Sequence, residues 1–370
     1  MHRSSTSSAR PSLKSFTSPR LLKACALTVA LLPLHSLNAS KTNQYAQVMD
    51  DKKLTVVAVA SPTAVFEESR HLHGFGYDLV RGYAKNLNVK LDFKVVNDTE
   101  TALKWVSQGK ADFAMTTASQ SKIDKKDLSA ISATSNDNAN LNRNGLNSSL
   151  NWVFKRENDP LSTKANSFVC RAKDSGSIRQ LASFYNRNVV TAASWKTIQR
   201  DLSNRMPIYK TNFKQTAKKY NLDWHLLAAI GYQESYLKPN SVSPTGVRGL
   251  MMLTNSTARE MGVSNRTDPK QSIQGGAKYY DQMLDRYAHI PYPDRNWYAL
   301  VAYNMGPGAV ASIQKSIKAQ GKDPNNWVNF YAYLDRNKAR NGRYRQAVQY
   351  VTRIRAYLEH IKTTPQLVNL

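Results

Sequence analysis

Glu234 closes a segment that predicts a helix, and its surroundings suit acid–base chemistry. The helix would begin at Asp223, which is a good N-cap residue. Leu227, Ile230 and Glu234 follow at positions i, i+3 and i+7, so they share one apolar face. Burial disfavours the charged carboxylate, and so does the negative end of the helix dipole. Both effects would raise the pKa of Glu234, as a general acid near neutral pH requires. The alternative is an exposed glutamate at a frayed helix end.

Three later segments carry residue types that can line a groove around such an acid. In residues 243–253, a Ser-Pro-Thr-Gly turn precedes an apolar run that is punctuated by glycine. In residues 302–308, Tyr303 and Asn304 place an aromatic ring and an amide at a helix end before a tight turn. Tyr350 lies in a late helical segment. Taken singly, each segment is equally explained by core packing or turn chemistry.

These segments belong to a region of helical periodicity. Helices are predicted at residues 211–220, 223–236, 255–261, 269–288, 296–304, 307–319 and 344–361. Because strand signals are almost absent, the sequence predicts an all-α C-terminal domain over residues 210–362. Residues 191–209 are predicted to be a linker with helical content.

The region before the linker alternates between strand and helix. Strands are predicted at residues 54–60, 89–96 and 111–117, with helices at 75–86 and 99–108 between them. This order predicts an open, partly parallel sheet, and hence an α/β N-terminal domain over residues 40–190. The polar stretch 118–149 is predicted to be a loop or weakly ordered segment. A strand at 152–156 and a helix at 178–185 follow.

In order and spacing, the segments around Glu234 resemble the soluble-lytic-transglycosylase domain family, a relative of goose-type lysozyme. The resemblance rests on Tyr-Gln-Glu-Ser at residues 232–235, the run at 243–253, and Ala-Tyr-Asn-Met-Gly at 302–306. Residues 268–276 resemble the stretch between these motifs. The match covers residues 205–362, is closest to the membrane-bound F branch of the family, and implies a lysozyme-like fold.

The resemblance also implies roles for individual residues. Glu234 corresponds to the catalytic glutamate, and Ser243 to the serine that helps to hold the N-acetyl group and the attacking hydroxyl. Tyr303 and Asn304 correspond to the pair that lines the groove beside the acid. Tyr350 corresponds to the late tyrosine of the site.

The implied reaction uses a single carboxyl group. Glu234 protonates the bond between N-acetylmuramic acid and N-acetylglucosamine, then takes the proton of the muramoyl C6 hydroxyl, which closes a 1,6-anhydro ring. No second acidic residue lies in the matching motifs, whereas most glycosidases need two. Met252 stands where most of the family has glutamine, which affects a sugar contact rather than the chemistry. No metal-ligand cluster is seen, and no cofactor is expected.

Residues 51–190 resemble the family 3 extracellular solute-binding domain. The matching pieces are Gly-Phe-Gly-Tyr-Asp-Leu at 74–79 and Gly-Lys-Ala-Asp-Phe-Ala at 109–114. A full member has two lobes, and this chain has room for one, so a single truncated lobe is predicted. The third strand lacks the following Thr-x-x-Arg anchor for a ligand carboxylate, so amino-acid binding is not expected. A regulatory or wall-docking role and a degenerate scaffold are both open.

The net charge and the N-terminal residues indicate which partners the protein binds and where it is located. The 370 residues carry a formal net charge of +26, which favours polyanionic partners. No zinc-finger, helix-turn-helix or RNA-binding signature is present, so nucleic acid is not expected. Residues 1–39 have basic, apolar and small-residue sections in the order of a secretory signal. An uncleaved anchor or a buried helix is the alternative. Cys170 would be alone after cleavage, so the mature chain would have no internal disulfide, as fits a bacterial envelope protein.

The sequence therefore predicts an exported lytic transglycosylase of the periplasm that acts on the glycan strands of peptidoglycan. Peripheral association with the envelope membrane is left open. A goose-type muramidase differs only in its product. A catalytically inactive wall-binding or sensor protein is the other alternative, and the intact motifs argue against it. A solute-binding protein is least favoured because one lobe is missing.

Overall fold

The computed structural model describes residues 43–68 and 71–368. The predicted signal, residues 1–39, lies outside the described residues. Within the described ranges, no helix combines the length and the apolar character needed to cross a membrane.

The front region is a five-stranded sheet flanked by helices. Its elements in chain order are α1 (Gln44–Asp51), β1 (Lys53–Val59), β2 (Phe66–Glu68), β3 (His71–His73), α2 (Phe75–Leu87), β4 (Lys90–Val96), α3 (Thr99–Ser107), β5 (Phe113–Thr116), α4 (Gln120–Asp124), β6 (Ser129–Ser132), α5 (Asn138–Arg143), β7 (Asn151–Phe154), α6 (Pro160–Asp174) and α7 (Ser177–Phe184). A 3-10 turn, Arg187–Val189, ends the region.

The strand order is β4-β1-β5-β7-β6. β1 runs parallel to both of its neighbours, with Val56 opposite Phe93 on β4 and Phe113 on β5. β7 runs antiparallel to β5 and β6. Residues 56–58 of β1 are fully buried, as expected for a central strand covered on both faces. The predicted partly parallel sheet is confirmed.

The prediction of a loop at residues 118–149 is wrong. The stretch forms α4, β6 and α5, and β6 pairs with β7 so that Ile131 lies opposite Trp152. Leu141 and Leu146 are buried in the core beneath it. These elements are four to six residues long, and most residues of the two helices are polar or charged, so too few apolar residues repeat to reveal a period. α6 was not predicted either, because its sequence is similarly polar.

The region that follows is helical. Its elements are α8 (Ala192–Tyr220), α9 (Trp224–Ser235), α10 (Asn255–Met261), α11 (Pro269–Arg286), α12 (Asp294–Met305), α13 (Pro307–Ala319), α14 (Trp327–Asn337), α15 (Gly342–Thr363) and α16 (Pro365–Val368). The predicted all-α region is confirmed, and α14 is added to it. α9 packs against both α8 and α15.

α8 passes through the predicted linker. It is continuous for 29 residues, and the predicted boundary between residues 209 and 210 falls inside it. Ile198, Leu202 and Met206 are buried at intervals of four residues, which places an apolar stripe of the helix in the core. This stripe explains why the segment is a packed helix.

The front and helical regions share one continuous apolar core. On α2, Arg81 donates a hydrogen bond of 2.7 Å to Asp294 at the start of α12. On α15, the buried Arg355 donates to the carbonyls of Phe184 at 3.2 Å and Asn186 at 2.8 Å. α15 is therefore fixed directly to the end of the front region.

Candidate active site

The end of α9 positions Glu234. The Asp223 carboxylate caps this helix by accepting a hydrogen bond of 2.8 Å from the backbone N–H of His225. Leu227 and Ile230 are fully buried, and Glu234 is half-buried at the next-to-last position of the helix. The predicted placement of Glu234, on a face shared with core residues and near the helix C-terminus, is confirmed.

The surroundings of Glu234 favour its neutral form. Burial raises the pKa of Glu234 from 4.5 to about 7. The Tyr350 hydroxyl donates a hydrogen bond of 2.6 Å to Oε1 of Glu234, which stabilises the carboxylate and lowers the pKa in part. Among the described residues no second carboxylate shifts this pKa. A carboxyl group that titrates near neutral pH can both give and take a proton.

Tyr350 reaches Glu234 from the middle of α15. It is buried, and its pKa is raised well above the ordinary tyrosine value by burial first and then by the Glu234 charge. Tyr350 therefore stays protonated throughout the pH range in which Glu234 titrates. Its proton serves as a fixed donor to Oε1, so Oε2 is the oxygen left to carry the exchangeable proton.

The loop of residues 243–253 is tied to the end of α9 and to α11. Ser235 donates to the Leu250 carbonyl at 2.8 Å, and the Met251 N–H donates to the Ser272 hydroxyl at 3.1 Å. Ser243 is half-buried, and its hydroxyl accepts from the Val247 N–H at 3.0 Å within the loop's own turn. No contact recorded among the described residues joins the Ser243 side chain to Glu234.

Tyr303 and Asn304 end α12 beside this loop. The Tyr303 hydroxyl donates to the Met251 carbonyl at 2.9 Å, so it holds the loop. Burial raises the pKa of Tyr303 well above that of a free tyrosine, and the charge of Glu234 raises it further. The Asn304 side chain is half-buried and has no hydrogen-bond partner within the described ranges, so its amide is available to a ligand.

Met252 and Gly249 both have left-handed backbone in this loop. Met252 has φ +48°, an uncommon conformation for a non-glycine residue, and its side chain is half-buried. Gly249 has φ +91°, and a Cβ atom there would lie 1.8 Å from the carbonyl oxygen of Arg266. The close approach of two backbone segments thus requires glycine at 249.

Two arginines support the site and were not singled out from the sequence. Arg266 donates to the Leu253 carbonyl at 2.8 Å and fixes the end of the loop. Arg343 donates to the Met305 carbonyl at 2.9 Å and fixes the end of α12. The one signal for Arg343 is its charge in the first turn of a helix, where the dipole disfavours a cation.

Residues 211–326 match the transglycosylase SLT domain, and residues 54–188 match the bacterial extracellular solute-binding proteins of family 3. The chain has an SLT domain behind a family 3 solute-binding domain. Glu234, the 243–253 loop and Tyr303 lie in the SLT match, whereas Tyr350 lies beyond its end.

Similar proteins match this chain over only part of their own length. Membrane-bound lytic murein transglycosylase F of Stutzerimonas stutzeri is 42% identical over 241 residues, which cover 60% of this chain and 49% of the relative. The protein of the same name from Marinobacter nauticus is 41% identical over 228 residues, which cover 57% and 45%. The chain thus spans about half the length of these curated relatives. The solved lytic transglycosylase Slt of Pseudomonas aeruginosa aligns at 21% identity and a TM-score of 0.34, over 53% of this chain and 32% of that one.

Proposed function

We propose that this protein is a lytic transglycosylase that cleaves the glycan strands of peptidoglycan. The observation that carries the proposal is a single carboxyl group, Glu234, with its pKa raised to about 7 and one oxygen held by Tyr350. The names of the relatives and the SLT match support the substrate class.

In the proposed first step, protonated Glu234 donates its proton to the glycosidic oxygen between N-acetylmuramic acid and N-acetylglucosamine. The bond from C1 to that oxygen breaks, and the N-acetyl group of the muramoyl residue stabilises the positive charge at C1. The free amide of Asn304 and the hydroxyl of Ser243 are the groups we assign to holding the sugar. Tyr303 acts on the site through the loop backbone that it binds.

In the second step, the Glu234 carboxylate accepts the proton of the muramoyl C6 hydroxyl, and O6 attacks C1. The product is a 1,6-anhydromuramoyl end, no water is consumed, and Glu234 returns to its protonated form. Tyr350 donates to the carboxylate between the steps, when the charge is greatest. One carboxyl group is enough because the nucleophile is part of the substrate.

We place the activity in the cell envelope. The relatives are named membrane-bound, and the net charge of +26 favours anionic polymers of the wall and anionic membrane surfaces. Export through the sequence at residues 1–39, and the periplasm as destination, belong to the same proposal.

The test is mass spectrometry of the soluble products formed from purified peptidoglycan. We expect products that end in 1,6-anhydromuramic acid, and none from the Glu234→Gln variant. Reducing muramic ends, heavier by one water, would identify a muramidase of the goose type on the same site. Binding to the wall without products would identify an inactive wall-binding protein, and unchanged lysis by Glu234→Gln would refute the role of Glu234.

A further inference from the structure

A cavity of about 470 Å3 opens where α8, the end of α9 and α15 meet. This volume is in the range of sites that hold small ligands. Its lining includes Tyr232 of α9, which stands two positions before Glu234 and therefore on the opposite side of that helix. The cavity is thus separate from the groove in which Glu234 is proposed to act.

Tyr357 of α15 brings a buried hydroxyl to this cavity. The residue is 5% exposed, and across residues 43–68 and 71–368 no group is hydrogen-bonded to its hydroxyl. Burial raises the pKa of Tyr357, and the charge of Arg353 lowers it in part, so the phenol keeps its proton at neutral pH. A buried donor without an acceptor costs free energy. An acceptor atom that enters the cavity would remove this cost.

Arg353 also lines the cavity and lacks a partner. It stands one turn before Tyr357 on the same face of α15. Its side chain is half-buried and makes no ion pair or hydrogen bond with any residue of the described chain. By contrast, Arg355 is paired with Glu359 at 2.6 Å. A guanidinium partly removed from water without a partner loses hydration that no carboxylate replaces, so the cavity favours an anion.

The other charges of the lining leave a positive excess. Asp201 of α8 is buried, and Arg205 neutralises it at 3.0 Å. Lys238, which follows α9, is exposed and has no ion pair in the part of the chain that the structure describes. No carboxylate of the lining is therefore left for Arg353 or Lys238, and an occupant with two negative charges would balance them. A phosphate monoester carries nearly that charge and three acceptor oxygens, whereas a carboxylate carries one charge.

The start of α8 also lies at the cavity. Thr191 is the N-cap of this 29-residue helix, and the lining includes Thr191, Ser194 and Thr197. The positive end of the helix dipole therefore adds to the attraction for an anion. Tyr236, which is 54% exposed, presents an aromatic ring to the same cavity. Hydroxyls and an open aromatic ring suit the polar edge and the apolar face of a sugar ring.

We infer that this cavity binds a phosphorylated sugar, with its phosphate held by Arg353 and Tyr357 and its ring packed on Tyr236. Lys238 supplies the second positive charge. The site is independent of the proposed cleavage reaction, because its lining and its ligand differ from those of the groove at Glu234.

The test is calorimetric titration of the full chain with glucose 6-phosphate, inorganic phosphate, gluconate and glucose. We expect glucose 6-phosphate to bind more tightly than the other three. Arg353→Gln and Tyr357→Phe should each weaken its binding about tenfold, the effect of losing one hydrogen bond to a charged group. Arg345→Gln removes an exposed charge from α15 outside the cavity, so it is the matched control and should leave binding unchanged.

Denaturant unfolding without ligand separates a ligand site from a structural role. Tyr357→Phe should leave the free energy of unfolding unchanged or raise it, because its hydroxyl has no partner to lose. A less stable Tyr357→Phe variant would show that the hydroxyl is already used within the fold, and would overturn the site. Equal binding of glucose and glucose 6-phosphate would also overturn it, as would equal weakening by Arg345→Gln and Arg353→Gln, which would indicate attraction to the net charge alone.

Discussion

Replacing Glu234 by glutamine should stabilise the protein, and only above the pH at which an ordinary glutamate ionises. In the unfolded chain the Glu234 carboxyl titrates near its ordinary pKa of 4.5, whereas burial raises it to about 7 in the folded protein. Between these values the folded state binds more protons than the unfolded state. The free energy of unfolding therefore falls as the pH rises from about 4.5 to about 7, and then levels off.

The size of this effect follows from the two pKa values. A change from 4.5 to about 7 corresponds to about 3 kcal/mol, at about 1.4 kcal/mol for each factor of ten. Because Glu234 is half-buried rather than sealed, we expect about 2 kcal/mol after solvent screening. Glutamine keeps the volume and an oxygen that accepts from Tyr350, so packing is preserved while the charge is removed.

The assay is denaturant unfolding of the wild-type chain and the Glu234→Gln variant at pH 4, 6 and 8. We expect little difference at pH 4 and a stabler variant by about 2 kcal/mol at pH 8. Glu157→Gln, at an exposed position outside the site, is the matched control and should show no such trend. A difference that is the same at all three pH values would refute the reasoning, because it would mean that burial does not shift the Glu234 pKa.

Three further predictions concern the support of the site. Tyr350→Phe removes the hydrogen bond that lowers the Glu234 pKa. The pH at which the rate falls on the alkaline side should therefore rise by about one unit. A fall in that pH, or no change, would contradict this. Gly249→Ala should abolish wall lysis and destabilise the protein, because its Cβ would lie 1.8 Å from backbone. Gly246→Ala in the same loop meets nothing within 4 Å and should cost only about 1 kcal/mol. Equal free energies of unfolding for the two variants would contradict the argument. Arg81→Ala should cost about 2 kcal/mol in denaturant unfolding. The loss should be greater at pH 8 than at pH 5, because burial raises the pKa of Asp78 to about 6 and Arg81 lowers it in part. A pH-independent loss would contradict this.

The sequence predicted the fold best where apolar residues repeat over long stretches. α13, with 13 residues, was predicted with its observed bounds, and the parallel core of the sheet followed from its strand and helix order. β6 and α5 were missed because each is too short for a period to show. α14 was missed although Trp327 and Phe330 are buried in it; the residues that directly precede it, 322–326, are polar or proline. The continuity of α8 was hidden by Pro207 inside it.

The candidate site also has features that the sequence predicts and features that it does not. The apolar spacing before Glu234 predicted its placement, because helical geometry fixes which residues share a face. The contact between Tyr350 and Glu234 spans 116 positions, and only the resemblance pointed to it. The carbonyl contacts of Arg266 and Arg343 depend on where two loops meet in space, which no local pattern contains. Distant side-chain contacts to backbone are thus the part that sequence reasoning misses.

The neutral surroundings of Glu234 bear on which reaction its geometry favours. Tyr303 and Tyr350 keep their protons, since burial raises the pKa of both well above that of a free tyrosine. A second carboxylate at this distance would split the two pKa values, so that one group stayed ionised near neutral pH and could activate a water. Under the proposed function, with phenols in that place among the described residues, Glu234 both gives the proton and takes one back. That sequence suits a nucleophile already held in position, and the C6 hydroxyl of the bound sugar is such a nucleophile.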